Sequence, residues 1–257
     1  METKRNLKYF TTKGVNIVLL AGLAVCIIGF LMMVIIPKGN GYSFGFIVIM
    51  LGAAVAVFGS GAKSAEADID NQIHGKIKDM PEQAQIKYEV YEKNFLKILN
   101  PVFLRGFSYE GDNVLCKKGP DHKYRTDSYN AAQLYFTQEN VYVYGKHISL
   151  LDTSEEANYE FGGVYPFTDI DKAYIEERKI KIIGRELTIH SFGLKLKNGK
   201  DVFKFDVEYG ADVDKAADDI NHAAEKMTER AAERAADKAA KRAALREMDA
   251  KKAAAAQ

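Results

Sequence analysis

Two uncharged runs constrain this chain more than anything else in it. Val15 to Ile36 reads VNIVLLAGLAVCIIGFLMMVII, with Asn16 its one strongly polar side chain, and Tyr42 to Gly59 reads YSFGFIVIMLGAAVAVFG. As helices they would be about 33 Å and about 27 Å long at ~1.5 Å per residue, against a hydrocarbon core of about 30 Å. The pattern predicts a two-helix transmembrane hairpin, with spans over 15–36 and 42–59 and a short external loop at 37–41. Pro37 cannot donate the next helical hydrogen bond, and Gly39, Asn40 and Gly41 suit a tight reversal. Lys4, Arg5, Lys8 and Lys13 form a basic flank within residues 1–14, the loop carries Lys38, and Lys63, Lys76 and Lys78 follow the second run. Basic residues mark the cytosolic side of a membrane protein. The expectation is therefore an integral protein of the plasma membrane with both termini in the cytosol.

Gly41-Tyr42-Ser43-Phe44-Gly45 spells G-x-S-x-G, the pattern of a hydrolase nucleophile elbow. An elbow needs a strand before the serine and a helix after it. Here both flanks read as helix, and His74, His122, His147, His190 and His222 all lie beyond the second run. Ser43 is read as a small residue near a helix start.

Small residues recur on one face of each run. Gly22, Cys26 and Gly29 line the first, and Gly45, Gly52, Ala56 and Gly59 line the second. Seven residues is close to two helical turns, so each set forms a stripe along which helices approach closely. The stripes are expected to pack the hairpin on itself, with a homo-oligomer contact through the same helices as the sharper alternative.

Beyond residue 59 the chain becomes polar. A net charge of +1 over 257 residues argues against a nucleic-acid binder. The two cysteines, Cys26 and Cys116, lie in different segments and are expected to stay reduced. Residues 60–99 read as a polar linker followed by an amphipathic helix, with Ala84, Tyr88, Tyr91, Phe95 and Ile98 at alternating steps of four and three. The period then shortens. VFLRGFSYE, NVLCKKG, QLYFT, VYVYGKHISLL, KAYIEERKIKII, ELTIHSFGLKLKNG and DVFKFDVEYG are rich in β-branched and aromatic residues, and turn signals such as TQEN and KNGK separate them. About seven strands predict a closed or nearly closed antiparallel sheet. A helix follows, with Val213, Ala216, Ala217, Ile220, Ala223, Ala224 and Met227 as its apolar stripe and Asp212 as a candidate N-cap. Residues 228–257 are alanine and charged helix formers, predicting a solvated helical tail in which Asp237 and Lys241 pair.

Seven strands and a docking helix resemble a pleckstrin-homology-like (PH-like) domain over residues 100–227. LYFTQENVYVYG, YPFTDIDKAYIEE and LKLKNGKDVFKFDV resemble segments of the bacterial membrane-anchored PH-like, GRAM-type group. The fold class implied is α+β: the membrane hairpin, a PH-like antiparallel β-barrel or sandwich, and a long C-terminal α-helix. The resemblance implies a binding platform rather than a catalyst.

No metal-ligand spacing, phosphate loop or dinucleotide fingerprint is present, so no metal or cofactor is expected. The candidate anion site is CKKGPDHKYR, where Lys117 and Lys118 precede a Gly-Pro turn and Lys123 and Arg125 follow it. In PH-like domains basic residues on an early hairpin often meet phosphates, and several cations at one turn can engage a lipid headgroup. A second basic hairpin, Arg178, Lys179, Lys181 and Arg185, is diluted by Glu176, Glu177 and Glu186. The functional expectation is a membrane-tethered scaffold that engages anionic inner-leaflet lipid or a protein segment, through the β domain or the C-terminal helix. The alternatives are an enzyme with a site in the β domain and a small membrane-embedded subunit of a larger complex.

Overall fold

A computed structural model describes residues 2–11, 17–35, 40–58, 65–92, 95, 99–111, 114–182 and 184–255. Gly59, Ile98, Lys13, Lys63, residues 15, 16 and 36 of the expected first span and residues 37–39 of the expected loop, Lys38 among them, lie outside them. The helices are α1 (Glu2–Thr11), α2 (Ile17–Ile35), α3 (Asn40–Phe58), α4 (Glu66–Ile77), α5 (Met80–Tyr88) and α6 (Ala211–Ala255). The strands are β1 (Val102–Phe107), β2 (Cys116–Lys118), β3 (Tyr124–Thr126), β4 (Ser128–Phe136), β5 (Asn140–Ser149), β6 (Glu160–Pro166), β7 (Ile170–Ile182), β8 (Arg185–Leu196) and β9 (Asp201–Asp206). The chain divides into two units, 1–72 with 115–127 and 73–114 with 128–257.

In the first unit, α2 and α3 pack along the stripes of small residues. A Cβ on Gly22 would lie 2.6 Å from the Ala56 nitrogen, one on Gly29 2.8 Å from the Gly45 oxygen, and one on Gly52 2.7 Å from the Cys26 nitrogen. Cys26 Sγ lies 3.5 Å from the Ile49 carbonyl oxygen in the same seam. Glycine is what lets the two backbones come this close. The faces turned away carry exposed Leu23, Ile27, Phe30, Phe46 and Met50.

The transmembrane expectation requires correction. Over the described residues each helix has 19 residues, those of α3 starting from polar Asn40. At ~1.5 Å per residue that is about 28 Å, short of a hydrocarbon core of about 30 Å. Among the described residues no helix is long and apolar enough to cross a membrane. The fold class is corrected to α+β without a transmembrane hairpin. With it go the two-span membrane partner, the external loop, the cytosolic assignment of both termini and the plasma-membrane location.

The N-terminal flank is also more than a basic tail. It forms α1, which buries Tyr9 and Phe10. The ribbon β2–β3 belongs to this unit, paired as Cys116↔Thr126, Lys117↔Arg125 and Lys118↔Tyr124.

The second unit holds seven strands in two antiparallel meanders, ordered β1-β4-β5-β6 and β7-β8-β9. Their inner faces share one core: Leu104, Leu134, Phe136, Val141 and Val143 from the first sheet, and Ile170, Phe192, Leu194, Phe203 and Phe205 from the second. The alternation of buried and exposed positions in β9 is what a half-buried strand requires. At one corner the sheets join, where the Glu208 N–H donates to the Arg105 carbonyl at 2.7 Å. Gly106 permits this, since a Cβ there would run into the Asp206 carbonyl.

Helix α6 buries the stripe read from the sequence, Ala216, Ala217, Ile220, Ala223, Ala224 and Met227. Asn221 fixes its docking. The side chain accepts from the Ala173 N–H at 2.7 Å and donates to the Ala173 carbonyl at 2.9 Å, so it hydrogen-bonds like a neighbouring strand at that point of β7. The expected cap, Asp212, lies inside the first turn, and the Val213 N–H bonds the Gly210 carbonyl. The tail continues as the same helix, with Lys241 Nζ 2.8 Å from Asp237. Helix α5 is shorter than its apolar period implied. Glu89 takes a left-handed conformation (φ 52°) and ends it at Tyr88, Tyr91 is exposed, and Phe95 stacks on Tyr135 at 4.9 Å.

The helical seam gives a direct expectation. In a Cys116→Ser background, Gly52→Leu will wedge α3 from α2 and raise the rate of Cys26 alkylation by a maleimide at least fivefold. An unchanged rate would mean that the glycines do not set the approach.

Candidate functional site

The candidate anion-binding tip is built differently from its sequence reading. Arg125 has 4% of its side chain exposed. Its Nε and Nη2 bond Asp70 at 2.8 and 2.7 Å, and its Nη1 and Nη2 bond Asp121 at 3.0 and 2.7 Å. These bonds hold the Asp121 carboxyl down at about 2 and hold the guanidinium above its ordinary value. Lys117 donates to the Tyr9 carbonyl at 2.8 Å and lies 4.3 Å from the centre of the Tyr9 ring. Burial, and then Glu66, pushes the Tyr9 phenol up to about 12. Lys118 is half-buried, 5.3 Å from the Tyr124 ring centre, and Lys123 is exposed. Of the four cations grouped by the sequence, one is buried in a carboxylate clamp and one is tied to backbone. Asp70, the partner that decides this, lies 55 positions from Arg125, beyond the reach of any local pattern.

The second basic hairpin is similar. Arg178 Nη2 bonds both oxygens of Asp206, at 2.8 and 2.7 Å, and Lys179 pairs with Glu186 at 3.1 Å. Asp206, 1% exposed, also accepts from the Tyr109 N–H at 2.8 Å and the Ser191 hydroxyl at 2.6 Å.

A cleft of about 350 Å³ lies between the two sheets of the second unit. Phe161, Phe203 and Phe205 line its floor, with ring centres 6.2 Å (161–203), 6.0 Å (161–205) and 5.4 Å (203–205) apart. Phe161 lies across Gly145 on β5, where a Cβ would collide with the ring. Val202 joins the apolar lining, while Ser108, Glu110, Asn130, His147, Tyr159 and Lys204 supply the polar part. Lys204 pairs with Glu176 at 2.7 Å, so the rim carries little net charge.

His147 is the titratable group that the cleft perturbs. Its Nδ1 lies 2.7 Å from Asn130 Oδ1, and its ring stacks on Tyr159 at 4.9 Å. Asn130 Oδ1 can only accept, so Nδ1 carries the proton and Nε2 the lone pair. Burial lowers the imidazole pKa, favouring the neutral ring. An apolar floor with a few converging polar groups is the usual composition of a ligand site. Among the described residues no cluster of His, Cys, Asp and Glu could hold a metal ion. No contiguous pattern marks this cleft, because its residues come from the segment after β1, from β4 and β5, from β6 and the residue before it, and from β9. The one local signal was glycine opposite aromatic, Gly145 facing Phe161.

No protein-family model, curated protein or solved structure matches this chain.

Two outcomes test this geometry. Arg125→Ala will destabilise the first unit by about 2 kcal/mol, between the ~0–1 kcal/mol of an exposed pair and the ~3–5 kcal/mol of a buried one, because the guanidinium is buried and its carboxylates are half exposed. In a Cys26→Ala background it will accelerate alkylation of Cys116, whose thiol burial and then Asp127 push up to about 11. Lys123→Ala will stay within about 0.5 kcal/mol of the parent. For His147 the folded pKa lies below the unfolded value of about 6.5. Its contribution to stability is present above that value and is lost as pH falls through the folded pKa. The denaturant midpoint will therefore fall between pH 7 and pH 5, and His147→Gln will reduce the difference between the two.

Proposed function

We propose that this chain is a binding module rather than a catalyst, and that the inter-sheet cleft receives an apolar or aromatic side chain presented by a segment of another protein. The observation that carries this reading is the floor of Phe161, Phe203 and Phe205, open at one end beneath a mixed polar rim. Aromatic rings give a large apolar contact at low entropic cost. The Asn130 amide nitrogen and the His147 Nε2 lone pair offer a donor and an acceptor of the kind that a peptide backbone needs.

Strand β9 adds to the case. The Val207 N–H bonds the His190 carbonyl of β8, so by the two-residue period Phe203 and Phe205 direct their backbone groups to β8. Lys204, inside the regular register, directs its backbone groups away from β8, beside the cleft. A segment seated there can bond to backbone while one side chain enters the floor.

The anionic-lipid alternative draws less support. Arg125 and Lys117 are engaged within the protein, and Glu110 offsets Lys204 at the cleft. The four-plus-three strand order with a trailing helix supports the resemblance to PH-like platforms, and that resemblance remains part of the proposal.

The test is a displayed random peptide library selected on the full chain. The expected result is recurrence of one aromatic or branched apolar residue among the binders. Val202→Arg, at the half-buried mouth, will then weaken binding tenfold or more, about 1.4 kcal/mol. Binders with no common apolar residue, or with equal affinity for the variant, would overturn the reading.

A further inference from the structure

A second cleft, of about 310 Å³, lies where α6 leaves the β unit, and it shares no residue with the inter-sheet cleft. Gln138 and Glu139 from the β4–β5 turn form one wall, and Phe167 and Thr168 from the single 3-10 turn between β6 and β7 form another. Met227, Arg230, Ala231 and Arg234 of α6 complete it.

The two arginines stand one helical turn apart, where side chains are neighbours and like charges repel by a few tenths of a kcal/mol. Neither has an ion pair or hydrogen-bond partner among the described residues. Arg105, Arg125 and Arg178 in the same chain all have carboxylate partners. A pair of free guanidinium groups side by side matches the planar geometry of a carboxylate. Glu139, across the cleft, is the one acid in the lining. The floor between them is apolar: Phe167 is 1% exposed and Met227 6%, and thioether side chains adapt to varied shapes.

We propose that this cleft binds a small zwitterion, an α-amino acid with an apolar side chain. Arg230 and Arg234 hold its carboxylate, Glu139 its ammonium, and Phe167 and Met227 its side chain. Each feature of the lining then has a counterpart on the ligand. A simple anion leaves Glu139 opposing it, and an apolar molecule leaves both guanidinium groups unmatched. A volume of about 310 Å³ stands at the small end of ligand sites, which run from ~300 to ~1,000 Å³. That suits a molecule of this size.

Calorimetric titration of the full chain with L-phenylalanine, N-acetyl-L-phenylalanine, L-phenylalaninamide and inorganic phosphate separates the components. Saturable binding of L-phenylalanine is expected, weakened at least tenfold when either its ammonium or its carboxylate is blocked. Arg230→Gln and Arg234→Gln will each weaken it by a similar factor. Glu139→Gln will weaken binding of L-phenylalanine but not of the N-acetyl compound, a difference that no general loss of structure produces. These three side chains contribute nothing to the core, so the variants will keep the parent's helical signal. Equal binding of phosphate or of the N-acetyl compound would reduce the cleft to an anion site and overturn the proposal. Absence of binding by L-phenylalanine would overturn it as well.

Discussion

The second unit depends on one buried carboxylate. Asp206, at the end of β9, gathers the Tyr109 N–H from the segment after β1, the Ser191 hydroxyl from β8 and the Arg178 guanidinium from β7. A carboxylate at 1% exposure is costly to bury unless its lone pairs are satisfied by strong donors. Those donors come from three stretches of chain and the carboxylate from a fourth, so satisfying the charge fixes where the four meet. The same corner carries the Glu208–Arg105 backbone bond and the glycine that allows it. Because the sheets close here, Ser108 and Glu110 are held at the inter-sheet cleft, and Glu110 lies 3.8 Å from Arg178.

The first unit shows a different constraint, close backbone approach. Gly22, Gly29, Gly45 and Gly52 face one another's helices within this chain. A stripe that is satisfied internally is not available to a second copy, so the homo-oligomer expectation loses the surface on which it rested. The spacing of seven was legible because it depends on helical geometry alone. Of the expected run of 22 residues, the described part carries a helix of 19.

Six of the seven described strands of the second unit were legible in the sequence. Cys116–Lys118 was counted in the main sheet and instead pairs with Tyr124–Thr126 in a separate ribbon. Strand β6 escaped because Gly162, Gly163 and Pro166 break its pattern, and Gly162 takes φ 114°. The α6 stripe was read correctly down to Met227, because a helix against a core must repeat its apolar face at 3.6 residues. Helix α5 failed the same logic at Glu89, where a left-handed residue ends it although the apolar period runs on. Periodicity states which face is buried, but it does not state where a backbone turns away.

Charge was the least legible property, and the arginines explain why. Arg125 sits in a basic cluster in the sequence, yet Asp70 and Asp121 enclose it, and its charge serves structure. Arg230 and Arg234 sit in an alanine-rich tail where acids and bases alternate and no local excess is visible. They are nonetheless cations beside a cleft with an apolar floor, without a carboxylate partner among the described residues. An exposed cation in a solvated helix and one at the rim of a cleft look identical in sequence. They differ in what faces them, and here the facing residues, Gln138, Glu139, Phe167 and Thr168, come from two turns far earlier in the chain. The electrostatic role of each arginine is therefore a consequence of topology: α4 brings Asp70 to one, β9 brings Asp206 to another, and the fold leaves the pair on α6 to be neutralised from outside the chain.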